Sequence, residues 1–258
     1  RRDEVQILTK FGQNWWSDEG ELFFEIPDRT GRHVKVYRNS RRESVIQECE
    51  RSLQRLGTDY IDLYQCHWRD HTRPVEEPME AMAKLLKDGK IRAGGVSNFT
   101  VEEIAAAREA FPLASDQPPY SMLNRDAEKD VLPYCRENDI GVLVYSPLQR
   151  GLLTGKVTMD RTFHEKDLRC RDPRFKPENR KRVLAFLDRI RPIADAHDAT
   201  LAQLVIHWTI HRPGITAALV GAREAKQVEE NAGAAEIRLS EDEMSRITEE
   251  VDQVELEL

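Results

Sequence analysis

Short β-rich apolar runs alternate with longer amphipathic stretches along the whole chain, and this alternation limits the possible folds more than any other feature. The runs are "VQILT" (5–9), "YIDLYQC" (60–66), "IRAGGVS" (91–97), "ASDQP" (114–118), "GVLVYS" (141–146) and "TAALVG" (216–221). Between them, helical spacing falls around 41–56, 77–88, 101–110, 127–137 and 180–211, and two further stretches near 224–235 and 241–252 close the chain. Three helix starts carry capping-box spacing: Thr100 with Glu103, Thr200 with Gln203, and Ser240 with Glu243. Strands that are buried on both faces and separated by helices imply an α/β fold built on a parallel sheet.

Two α/β architectures compete. A doubly wound sheet would carry GxGxxG after an early strand, whereas the glycines of "GKIRAGGVSNF" have other spacing and lie inside a strand. Lys10, His67, Ser97 with Asn98, Gln117, Tyr145 and Arg223 each fall at or just past the C-terminal end of a different strand. That is where a (β/α)8 TIM barrel assembles its site, so the barrel is favoured. Only six strands are visible, and the first begins almost at residue 1. The expectation is one barrel domain over 1–258 with its third to eighth strands present and its first two βα units missing, incomplete at the N-terminus. Two long insertions, 11–40 and 149–180, are expected to be loops serving as lids or cofactor clamps.

Charge is balanced, with 39 basic against 46 acidic residues and a net of −7, which excludes the basic footprint of a nucleic-acid binder. The chain has no apolar run long enough to span a membrane and no signal-peptide pattern. Cys49, Cys66, Cys135 and Cys170 lie far apart without a CxxC pair. Reduced thiols and a cytoplasmic location are expected, with no disulfide framework and no metal site.

Taken singly, the polar residues say little. His67 alone could be a satisfied core histidine. Lys10 could be a surface charge, a Schiff-base nucleophile or an electrostatic partner for an acid. Ser97 and Asn98 could start a turn, Tyr145 could be core, and Trp15 and Trp16 could anchor a loop or wall a pocket. Their convergence on one barrel mouth points to a site.

The series "ILTKFG", "SLQRLGTDYIDLYQCHW", "GKIRAGGVSNF", "DQPPYSMLNR", "VLVYSPLQRGLLTGK" and "LVGAREAKQVEEN" resembles the aldo-keto reductase superfamily, most closely its bacterial general-stress-type branch. The resemblance implies an NADPH-dependent oxidoreductase that reduces small aldehydes or ketones to alcohols by hydride transfer. It makes Lys10 and His67 the catalytic pair. Ser97, Asn98 and Gln117 would hold the nicotinamide carboxamide and Tyr145 would stack on its ring. Ser146, Leu148, Gly151 and Lys156 would follow the pyrophosphate, and Gly221, Arg223, Gln227, Glu230 and Asn231 the adenosine end. Arg223 can pair with a 2′-phosphate, favouring NADPH, although Glu224 beside it works against that preference. Trp15, Trp16 and Trp68 would wall an aromatic substrate pocket, whose rim Arg69 alters where the family often has proline.

The family's proton-donating tyrosine and its aspartate precede the lysine strand in a "DTAxxYG"-like stretch, and this sequence contains none. None of Tyr37, Tyr60, Tyr64, Tyr120, Tyr134 and Tyr145 takes that role by position. The absent acid and the two absent strands imply an N-terminally truncated reductase of little activity. The alternatives are a non-catalytic NADPH-binding regulatory subunit of the channel β-subunit type and a Schiff-base barrel aldolase using Lys10. Oligomeric state is not legible.

Overall fold

In a computed structural model that describes residues 1–258, each β-rich run seeds a parallel strand. The chain divides into two compact units, Arg1–Pro118 with Asp130–Val142, and Pro119–Lys129 with Leu143–Leu258.

The first unit contains, in order, β1 (Leu8–Phe11), β2 (Gln13–Asn14), β3 (Glu21–Pro27), β4 (His33–Arg38), α1 (Arg42–Leu56), β5 (Ile61–Cys66), α2 (Glu76–Lys87), β6 (Ile91–Ser97), α3 (Val101–Ala110), β7 (Leu113–Gln117) and α4 (Val131–Glu137). The start of β8 (Gly141–Tyr145) also belongs to it. Parallel pairing runs β1–β5–β6–β7 and on to β8, with Lys10 beside Gln65, Cys66 beside Val96 and Ser97 beside Gln117. The helices bury faces at helical spacing: Val45, Cys49 and Leu53 on α1, and Met79, Met82 and Leu85 on α2. Gly57 ends α1 in the left-handed conformation, its N–H on the Gln54 carbonyl.

The paired glycines of β6 are packing residues. A Cβ on Gly94 would lie 2.2 Å from Met82 Cε and 2.6 Å from Phe111 Cε1. On the other face, a Cβ on Gly95 would lie 2.4 Å from Ser115 Oγ and 2.5 Å from the Ser115 carbonyl oxygen. Only hydrogen fits on either side of this strand.

Residues 11–40 correct the expectation of a loop. They fold into a three-stranded antiparallel sheet in the order β2–β4–β3. The cause is local. "ELFFEIP" and "HVKVYR" are β-rich segments flanking "DRTGR", where the Asp28 carboxylate accepts from the Thr30 and Arg32 N–H groups and Gly31 takes φ +85°.

The second unit contains the end of β8, α5 (Pro177–Ala196), α6 (Leu201–Ile210), β9 (Ala217–Leu219), α7 (Ala225–Ala232) and α8 (Glu241–Asp252). β8 and β9 pair in parallel from Leu143 beside Ala217 to Tyr145 beside Leu219. The single helical stretch read at 180–211 is two helices. Asp198 turns to φ +50° and the Thr200–Gln203 capping box starts a new helix. The boxes at Thr100 and Ser240 also form as spaced. Trp208 is fully buried, stacked on Tyr120 at 6.3 Å, with its indole N–H donating to Thr248 Oγ1. No helix of either unit is long and apolar enough to cross a membrane.

Asp116 is the conspicuous misfit of the first unit. It is fully buried on β7 and neither carboxyl oxygen has a hydrogen-bond partner. Burial pushes its pKa up to about 7, with the nearby Gln117 N–H pulling less strongly the other way. The Cys135 thiol is pushed up to about 12 by burial and by this carboxyl.

Two predictions follow from this packing. Gly95→Ala should cost about 3 kcal/mol or more, because backbone must move, and Gly94→Ala about 2 kcal/mol, because the Met82 tip can swing but the buried Phe111 ring must shift with it. Urea unfolding midpoints of the two variants check the order. A carboxyl with a raised folded pKa stabilises least above that pKa, so stability is lost as pH rises from the unfolded value toward 7 and beyond. Asp116→Asn should therefore gain on the order of 1–3 kcal/mol at pH 8 and little at pH 4, measured as melting temperature against pH.

Candidate active site

In the first unit, four strand ends carry the predicted polar residues. Lys10 lies within β1, His67 follows β5, Ser97 and Asn98 end β6, and Gln117 ends β7. Backbone pairing continues past β5: the His67 N–H donates to the Phe11 carbonyl at 3.0 Å. Asn98 takes the left-handed conformation, φ +62°, and its Nδ2 donates to the His67 carbonyl and to Ser97 Oγ, both at 3.0 Å. Ser97 Oγ donates to the Gln117 carbonyl at 2.8 Å. The structure thus brings His67, Ser97, Asn98 and Gln117 into one connected network.

The charges at this end are partly desolvated. Burial, reinforced by the Lys10 charge, holds the His67 imidazole down at about 4, so it is neutral at neutral pH. Burial also draws the Lys10 ammonium below its ordinary value. A neutral imidazole beside a half-buried ammonium can donate a hydrogen bond without adding a second charge.

Sequence reasoning missed two partners here. Gln65 is 1% exposed and accepts at its Oε1 from Gln117 Nε2 at 2.8 Å, and its own Nε2 donates to Ser115 Oγ at 3.2 Å. The available signal was a lone amide in the buried half of β5, which must find partners. Glu48, on the buried stripe of α1, accepts from the Gly12 N–H at 3.0 Å and from Ser44, and burial pushes it to about 7.

The three tryptophans fall into two groups. Trp15 is 62% exposed and meets Trp16 edge-on at 5.2 Å, with Arg51 over the Trp16 ring. Trp68 instead packs on Phe23 at 5.5 Å, and Arg38 lies over both of those rings. Arg69, at the altered rim position, donates to the Asp70 and Arg73 carbonyls. Two of the tyrosines are engaged elsewhere. The Tyr64 hydroxyl donates to the Val45 carbonyl, and Tyr60 lies between Arg2 and Arg92.

In the second unit, a groove of ≈ 710 Å³ is lined by Ser146, Leu148, Gly151 and Lys156 together with Gly221, Arg223, Gln227, Glu230 and Asn231. Tyr145 is not among its lining residues; it ends β8, where its carbonyl accepts from the Tyr120 N–H. The turn after β8 is wound tightly, with Ser146 at φ +61°, Gln149 at +46°, Arg150 at +52° and Gly151 at +91°. Ser121 Oγ donates to Gln149 Oε1 at 2.8 Å and supports it. No atom lies within 4 Å of where a Cβ on Gly151 or Gly221 would stand, which leaves open cradles at the wall.

The groove is cationic. Arg150, Arg161 and Arg169, which sequence reasoning did not single out, join Lys156 and Arg223 in its lining. Asp172 faces Arg150 at 3.4 Å, Asp167 holds Arg169 at 2.6 Å, and Glu230 stands 3.8 Å from Lys156. Gln227 does not present its amide oxygen to the groove as a free acceptor, because Oε1 takes the Arg223 N–H at 2.8 Å and fixes the start of α7. Arg180, buried at the foot of the 149–180 insertion, ties that insertion together by donating to the Thr158, Arg161 and Phe175 carbonyls. No group of three or more His, Cys, Asp or Glu side chains is placed to hold a metal ion.

The chain is similar to known proteins along nearly its whole length. The model of the Aldo/keto reductase family matches residues 1–252. Aldo-keto reductase YhdN of Bacillus subtilis is 39% identical over 230 residues, 89% of this chain and 65% of that protein. The NADH-specific methylglyoxal reductase of Escherichia coli is 36% identical over 243 residues, 93% of this chain and 72% of that protein. Among solved structures, the glycerol dehydrogenase AKR11B4 from Gluconobacter oxydans superposes with a TM-score of 0.88 at 35% identity, covering 98% of this chain and 74% of that one. The chain thus spans just under two thirds of the Bacillus relative. The matches support the (β/α)8 class. They do not single out a general-stress-type branch, and the family match, which runs from residue 1, gives no support to the expectation of two missing βα units. The chain belongs to the aldo/keto reductase family.

Proposed function

We propose that this chain binds a nicotinamide dinucleotide, NADPH in preference to NADH, and takes part in the reduction of small aldehydes or ketones to alcohols. The observation that carries the reading is the amide and hydroxyl network of buried Ser97 and Gln117 with half-buried Asn98 at adjoining strand ends. A planar carboxamide offers both donors and an acceptor, and this is the side-chain set that answers it. The cationic groove of the second unit, with open space beside Gly151 and Gly221, suits phosphate groups. Ser146, Leu148, Gly151 and Lys156 would follow the pyrophosphate, and Gly221, Arg223, Gln227, Glu230 and Asn231 the adenosine. Tyr145 would stack on the nicotinamide.

When bound, the dinucleotide supplies the hydride. The chain's own part is electrostatic. Negative charge that develops on a carbonyl oxygen is met by neutral His67 as hydrogen-bond donor and by the Lys10 ammonium. Trp68, fixed on Phe23 under Arg38, would supply an apolar wall, and Trp15 and Trp16 a second one. With Tyr60 and Tyr64 engaged elsewhere, no tyrosine is assigned as proton donor, so we expect cofactor binding to be retained and turnover to be slow. The aldolase reading leaves the carboxamide-type network without a purpose. The channel-subunit reading shares the cofactor site and would show as tight NADPH binding with no carbonyl reduction.

Fluorescence titration of the purified chain with NADPH and NADH, followed by the 340 nm assay with a small aldehyde, tests the proposal. Saturable NADPH binding is expected, and the absence of binding by either nucleotide would defeat it. Arg223→Ala should weaken NADPH binding about tenfold while leaving NADH within about twofold, the loss of one charge-assisted contact. His67 provides the pH test. Its folded pKa lies below the ordinary 6.5, so the stability it contributes is complete above 6.5 and lost as pH falls toward 4. NMR titration of the His67 ring should give a midpoint near 4 that rises in Lys10→Met and stays below 6.5.

A further inference from the structure

We infer that Gln65 is a positioning residue that decides which end of the Gln117 amide meets a bound ligand. This rests on the carboxamide reading of Gln117 given above. The argument starts from a backbone carbonyl, a group that can only accept. The Gln65 amide stands 3.4 Å from the Val96 carbonyl oxygen, so the atom facing it must be Nε2, which also donates to Ser115 Oγ at 3.2 Å.

That fixes Oε1 of Gln65 toward β7, where it accepts from Gln117 Nε2 at 2.8 Å. Gln117 therefore commits its amide nitrogen inward, and its Oε1 is the atom left to receive a donor. Both side chains are almost fully buried, at 1% and 3% exposure, so neither can turn its amide over without stranding a polar atom. A nicotinamide carboxamide would meet Gln117 through its NH2 group. The polarity of the site is thus set one strand away, by a residue that touches no ligand.

The test compares binding of NADP+ and of its 3-acetylpyridine analogue, in which a methyl group replaces the NH2, by isothermal titration calorimetry. The native chain should bind NADP+ about tenfold more tightly, because the analogue leaves the Gln117 oxygen without a donor. Gln65→Leu frees the Gln117 amide to turn, and the preference should fall to within about twofold of unity. Gln65→Glu still accepts from Gln117 Nε2 and should keep the preference even if both affinities drop. Gln65→Met takes the place of the leucine variant if melting curves show that Leu is not accommodated.

Equal weakening of both ligands in Gln65→Leu, with the ratio unchanged, would reduce Gln65 to a structural role and overturn the inference while leaving the cofactor reading intact. Binding of both ligands with no preference in the native chain would also overturn it. Failure of the native chain to bind either ligand would defeat the cofactor reading itself and the inference with it.

Discussion

The close approach of β6 to its neighbours on both faces is the constraint on which the first unit depends. Gly94 admits Met82 and Phe111 against one face of the strand, and Gly95 admits Ser115 against the other. Without a side chain at either place, β6 and β7 settle in a register that sets Ser97 beside Gln117. It also brings Ser115 Oγ within reach of Gln65. The polar network at the strand ends thus follows from a steric condition inside the sheet. Two glycines whose spacing in the sequence does not fit a dinucleotide-binding loop work through their lack of a Cβ and not through contact with a ligand.

The two units face charge in opposite ways. At the strand ends of the first unit, a half-buried lysine and a half-buried histidine are both driven toward their neutral forms. Such a place suits groups whose value lies in direction: an amide turned one way, an imidazole that donates, a single ammonium. The groove of the second unit is open and lined with guanidinium groups, two of them, Arg150 and Arg169, already held by Asp172 and Asp167. Exposed cations of this kind contribute little to folding. Partly neutralised and pre-oriented, they lose less freedom when an anion arrives than free arginines would.

Most of the architecture was legible because it depends on local periodicity. The six parallel strands, most of the helices and all three capping boxes can be read from residues no more than a turn apart. The hairpin in 11–40 is equally local, with "DRTG" as its turn signal, but its aromatic residues suit a pocket wall as well as a strand and so mask it. The break at Asp198 was missed for the opposite reason, since apolar spacing ran through it while the cap at Thr200 contradicted that spacing. Within the site, residue types at strand ends were readable. Their partners were not, since Gln65 meets Val96, Ser115 and Gln117 across sequence separations that no periodicity encodes.

Asp116 shows what that network demands of the strand carrying it. Ser115 and Gln117 point one way from β7 and are both used by Gln65, so Asp116 between them must point the other way, into the layer that holds Cys135. A carboxyl there has no partner and favours its neutral form. An apolar side chain would satisfy the core better, and asparagine would remove the ionisation while leaving the strand unchanged. The residue that ionises at the cost of stability thus lies between two that serve the site, with the alternation of the strand fixing all three. Its titration acts on the packing behind the network, so a loss of fold stability as pH rises toward 7 can arise at Asp116 separately from the protonation of His67, whose own contribution is lost as pH falls toward 4.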